Sequence, residues 1–101
     1  MTYEGVKFDD GKARLDLLPP EALLALGRVL TFGARKYGAR NWERGIDDGR
    51  LLAAALRHLV ADMAGAATDG ESGLPHIDHA FANLAMMIAQ RHRQLTKEKQ
   101  R

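Results

Sequence analysis

The chain contains no cysteine. That absence excludes a disulfide scaffold, thiolate-bound zinc and a thiol nucleophile, and it fits a reducing compartment. Prolines number three and glycines ten, with no fixed period, which excludes a collagen or a linker protein. Aromatic residues are few: one Trp, two Tyr and three Phe. Long hydrophobic runs are missing as well. The longest, such as residues 51–56, fall far short of the roughly 20 residues that span a bilayer. The first ten residues are polar and acidic, so neither a signal peptide nor a membrane partner is expected.

What is present suits one folded domain. The 101 residues are 46% hydrophobic and 28% charged, with a formal net charge of only +2. That charge is unevenly placed. Residues 90–101 carry five Lys/Arg against one Glu, while residues 1–89 carry ten Lys/Arg against twelve Asp/Glu. The folded part is mildly acidic with a basic tail, which argues against nucleic acid as the main partner.

The pattern predicts an extended leader over 1–18, a single all-α domain over 19–95 and a basic tail over 96–101. Pro19-Pro20 before Glu21 marks a helix start, and Gly38 its stop. Leu23, Leu26, Leu30 and Ala34 form the apolar stripe between them. Asp47 or Asp48 caps a second helix, with Leu52, Leu56, Leu59 and Met63 on its stripe. Pro75 opens a third, striped by Ile77, Phe81, Leu84 and Ile88. The expected helices lie near 20–37, 49–65 and 75–95, an all-α helical hairpin bundle. Its core is thin, so completion by association of chains, as a dimer or tetramer, is expected.

Several polar residues fit neither core nor plain surface. His58 and Asp62 lie four apart on the second helix and share a face. His76, His79 and Asn83 form a polar stripe on the third, and Asp69, Glu71 and Ser72 lie in the loop between. A helical hairpin brings these groups to one end of the bundle. Imidazole and oxygen donors at helical spacings are what a bundle-type metal site uses. Carboxylates suit Mg²⁺ or Mn²⁺, and imidazoles favour Mn²⁺, Fe or Zn²⁺. The alternative is ordinary: Asp69 and Glu71 as turn and capping residues, and the histidines as surface or satisfied interior groups.

A second cluster runs from Phe32 to Trp42 and sets Arg35, Lys36 and Arg40 among aromatics and Asn41. Cations hold phosphate, Trp42 can stack on a base, and Asn41 can read a base edge. Equally, these residues can form a solvated helix end with Trp42 packed on the core. Lys12 and Arg14 are a third, weaker phosphate-binding candidate. There is no Walker loop, dinucleotide fingerprint or serine triad signature.

The blocks K-x-D-x-G-K with RLDLLPPEAL, VLTFGARKYGARNW, RLLAAALRHL and DGESGLPHIDHA occur in that order over residues 5–90. Together they resemble the phage dATP/dGTP diphosphohydrolase family, itself similar to MazG-like all-α nucleoside triphosphate pyrophosphohydrolases. The resemblance implies metal-dependent cleavage of purine deoxynucleoside triphosphates (dGTP, dATP) into monophosphate and pyrophosphate, in the host cytoplasm if phage-encoded. By position, Lys36, Tyr37, Asn41 and Trp42 match one motif, and Arg57 and His58 another. Asp69, Glu71, Ser72, Gly73, His76 and His79 match a third.

The implied metal set is His58, Asp62, Asp69, Glu71, His76 and His79, for Mg²⁺ or Mn²⁺. Asp69 or Glu71 would orient or deprotonate the water. Lys12, Arg14, Lys36, Asn41, Trp42 and Arg57 would hold the nucleotide. One departure stands out: relatives usually carry glutamate after Gly65, and this chain has Ala66. Asp62, one turn earlier, can compensate. The alternatives are a catalytically degenerate member that keeps only the fold, or a small nucleic-acid-binding oligomeric protein.

Overall fold

The computed structural model describes residues 2–99. Three helices carry it: α1 (Pro20–Tyr37), α2 (Asp48–Met63) and α3 (His76–Lys99). Short 3-10 turns stand at Leu15–Leu17 and Asn41–Arg44. No strand occurs among the described residues; Thr68 and Pro75 form one isolated bridge. The fold is all-α, and the start and stop residues act as expected. Pro20 sits in the first turn of α1 with Glu21 beside it. Gly38 ends that helix at φ 98°, a conformation that glycine adopts readily. The Asp47 side chain caps α2 by accepting from the Arg50 N–H.

Residues 2–18 of the leader are exposed, and the turn at Leu15–Leu17 interrupts it. The segment expected as a basic tail is partly helical, because α3 continues to Lys99; Gln100 and Arg101 lie outside the described residues.

α3 packs along α2 and more lightly against α1. Three of the buried residues are alanines. Leu51, Ala55, Ala80, Ala82 and Met87 are buried, together with His79. Alanines let two helices approach closely and leave the large side chains of the predicted stripes on the outside. Leu52, Leu56, Met63, Ile77, Phe81, Leu84 and Ile88 are all exposed in the single chain. The Cα radius of gyration is 17.3 Å, against about 13 Å for a compact chain of 100 residues. The chain is open, and many of its large apolar groups face outward.

Candidate functional site

The loop between α2 and α3 folds back on itself. The Asp69 N–H donates to Leu74 O at 2.8 Å and the His76 N–H to Ala67 O at 2.9 Å. Gly73, at φ 73°, makes the bend between them. This small hairpin sets Asp69 beside the first turn of α3 and the last turns of α2. Asp69 Oδ2 accepts from the Ser72 N–H at 2.9 Å and meets Ser72 Oγ at 3.0 Å. The Leu74 N–H donates to the same hydroxyl at 3.1 Å, and His79 Nε2 lies 2.6 Å from it. The set closes if Ser72 Oγ donates to Asp69 and accepts from Leu74 and the His79 Nε2–H, an assignment made from the network.

His58, Asp69 and His76 converge. One donor atom from each lies within 4.8 Å of the others. His58 Nδ1 and His76 Nδ1 are 2.8 Å apart, so one ring donates its proton to the other. A cation can take the place of that proton. His79 stacks on His58 with centroids 4.6 Å apart, and Phe32 meets His79 edge-on at 6.2 Å. His79 is therefore positioned by Ser72, His58 and Phe32. Asn83 secures the same turn of α3 by donating to His79 O at 2.9 Å.

Two of these groups have shifted titration. Burial, followed by the neighbouring His79 and His76, pushes the His58 imidazole below its ordinary value. The Ser72 N–H, against a smaller opposing effect of burial, holds the Asp69 carboxyl below the usual carboxylate range. Both shifts have the same sign for folding. The His58 contribution is complete above its unfolded value of about 6.5 and is lost as pH falls through the lower folded value. The Asp69 contribution is lost only at lower pH. Without metal, the melting temperature is expected to drop from about pH 7.5 to about pH 5.5, and His58→Gln to flatten that slope. A slope unchanged by His58→Gln in thermal scans would refute this.

The remaining candidates divide by position. Lys36, at the end of α1, pairs with Glu71 at 2.6 Å, which brings both to the loop that carries Asp69. That pairing raises the Lys36 value further above its ordinary range. Asp62 and Arg57 are exposed on α2, and Asp62 is outside the converging triad. Lys12 and Arg14 stay in the exposed leader, where Arg14 pairs with Asp16 at 2.7 Å. Trp42 lies under the Arg93 guanidinium, 4.7 Å from ring centroid to Cζ, and Asn41 precedes it in the same turn. Arg93 is 14 residues beyond His79 on α3, about 21 Å along the axis.

Around Trp42, Gln90 exchanges two hydrogen bonds with the Ile46 backbone (2.7 and 2.8 Å), and Arg91 pairs with Asp48 at 2.8 Å. Within one chain, the triad and the Asn41–Trp42 turn lie toward opposite ends of the α2–α3 pair.

Comparison with known proteins decides the lineage of this arrangement. Residues 2–100 match the family described as dATP/dGTP diphosphohydrolase, N-terminal. The chain belongs to that family. It is 40% identical over 84 residues to a dATP/dGTP diphosphohydrolase of Salmonella phage PMBT28, a match over 83% of this chain. That match covers 29% of the relative, so the chain spans under a third of its length. No solved structure matches. On the fold, the segment Asp69–His79 is the loop hairpin and first turn of α3, and Arg57-His58 stand on α2 between its middle and its end at Met63.

The sequence placed Ser72 in the loop cluster but gave it no role, and the structure makes it the link between Asp69 and His79. Its signal was available in the Asp69-x-x-Ser72 spacing, which suits an Asx-type turn. Gln90 had no comparable signal, because its partner is a backbone segment 44 residues away.

Proposed function

We propose that this chain hydrolyses purine deoxynucleoside triphosphates, dGTP and dATP, to monophosphate and pyrophosphate, with a divalent cation at the His58–Asp69–His76 triad. The observation that carries the reading is the convergence of those three donors, from α2, the α2–α3 loop and α3, within the residues that match the family. Two imidazole nitrogens and one carboxylate fit a divalent transition ion such as Mn²⁺ better than Mg²⁺, which prefers oxygen donors. When bound, such a cation supplies charge neutralisation on the phosphates and activation of water.

The chain's own residues account for the rest. Asp69 stays ionised because Ser72 donates to it, so it is available as a ligand. Glu71, exposed beside it, accepts the proton of the attacking water. The water oxygen bonds to the α-phosphorus, the bond to the α–β bridging oxygen breaks, and pyrophosphate leaves with that electron pair. Lys36 exchanges its Glu71 partner for the departing pyrophosphate, as a mobile point charge suited to phosphate. Arg57, beside His58 on α2, adds a second cation.

The exposed stripes of α2 and α3 pack against further copies of the chain, giving a dimer or tetramer. Asn41 and Trp42 reach a nucleotide at the triad only from a neighbouring copy, given the length of α3 between the two places.

The test is product analysis. dGTP incubated with the chain and Mn²⁺ is expected to give dGMP and pyrophosphate, and chelator to stop turnover. Release of dGDP and orthophosphate, or no turnover with either Mn²⁺ or Mg²⁺, would contradict the reading.

A further inference from the structure

α1 carries a surface that the mechanism does not use. Leu24, Gly27, Arg28, Thr31 and Arg35 recur at spacings of three and four, so they share one face. With Leu23, Phe32 and the loop residues Ser72 and Leu74 they line a groove of about 490 Å³. That size lies within the roughly 300–1,000 Å³ usual for small-molecule sites.

Three features give the groove a chemistry. Its walls are apolar at Leu23, Leu24 and Leu74. Its cations are Arg28 and Arg35, neither of which has an ion-pair partner among the described residues, and no acidic residue lines it. Its floor is opened by Gly27, where an added Cβ would meet nothing within 4 Å. A glycine inside a helix weakens it relative to alanine, so this opening comes at a structural cost. The Thr31 hydroxyl donates back to Gly27 O at 2.7 Å, which leaves the floor without an unmet donor there.

The groove also adjoins the triad through one residue. Ser72 lines it while bonding to Asp69 and His79. A molecule lying along it would be anionic, partly apolar and would end beside the metal donors.

We propose that this groove seats the nucleotide. The base lies against Leu23, Leu24 and the Gly27 floor, and Arg28 and Arg35 pair with the phosphates that reach toward Ser72 and the triad. The proposal rests on the triad being the nucleotide-hydrolysing centre. It adds the place of the substrate and assigns roles to Gly27, Arg28 and Arg35.

Binding of α,β-methylene dGTP, measured by equilibrium dialysis with Mn²⁺, tests it in the full chain. Gly27→Leu fills the floor with a better helix former. Arg28→Gln with Arg35→Gln removes both cations and keeps a polar side chain at each place. Each variant is expected to lose at least about tenfold in nucleotide affinity. Mn²⁺ affinity without nucleotide, read by electron paramagnetic resonance, should stay at the wild-type value. The arginine variant should also show a smaller preference for the triphosphate over deoxyguanosine.

Wild-type nucleotide affinity in both variants would overturn the groove and leave the hydrolytic reading standing. Failure of the wild-type chain to bind nucleotide would overturn both. A changed sedimentation coefficient in Gly27→Leu, with unchanged nucleotide affinity, would make the groove an interface between copies. Quenching of Trp42 emission by the nucleotide, with both variants binding normally, would place the base at Trp42 and overturn the proposal.

Discussion

Asp69→Asn combined with His76→Gln is expected to reduce divalent-metal affinity by more than about 100-fold, the upper end of what disturbing groups outside the ligand shell costs. Two of the three converging donors are changed, and the carboxylate charge is lost. The choice of substitutions matters because Asp69 also holds the loop, by accepting from the Ser72 N–H at 2.9 Å. Asparagine keeps an acceptor there, whereas alanine would confound a binding loss with a loosened loop. Glutamine at position 76 keeps a polar side chain in the first turn of α3. Helical circular dichroism should match the wild type. Mn²⁺ titration is the measurement, and unchanged affinity would remove the triad as a metal site.

Phe81→Glu with Ile88→Glu is expected to convert an assembled protein into monomers and to abolish turnover. Both residues are exposed in the single chain, at 39% and 59%, and they stand two turns apart on one face of α3. Leu84 continues that face between them. Burying such side chains contributes roughly 25 cal/mol per Å². A carboxylate forced into the same contact without a partner is strongly unfavourable. Neither position is buried in the single chain, so the hairpin should keep its helicity. Sedimentation equilibrium at micromolar concentration checks this. A wild-type chain that is already monomeric, or a variant that assembles normally, would contradict it.

The helices were legible because their punctuation is local. Pro20, Gly38, Asp47 and Pro75 act within a turn of where they stand, and α1 begins and ends as the sequence predicts. Which face each helix buries was less legible. Hydrophobic periodicity assigns the large residues inward, but Ala55, Ala80 and Ala82 are buried while Leu52, Leu56, Phe81 and Ile88 are exposed. Close helix approach favours small side chains, and the larger ones are left facing outward.

The triad was legible in part. Histidines and acids near one end of a helical hairpin must come near one another, and His58, Asp69 and His76 do. The spacing could not separate donors from their supports. Only the folded loop places His79 on Ser72 and Glu71 on Lys36. The position of Trp42 was illegible, because its partner Arg93 lies about 50 residues away in sequence and nothing local announces the contact.

Electron spin-echo envelope modulation of Mn²⁺ bound to the chain tests the metal assignment most directly. With ¹⁵N-histidine incorporated, the expected spectrum shows directly coordinated histidine nitrogen, reduced in His58→Gln and in His76→Gln. A Mn²⁺ complex of the wild type with no histidine nitrogen coupling would place the ion elsewhere and contradict the His58–Asp69–His76 centre.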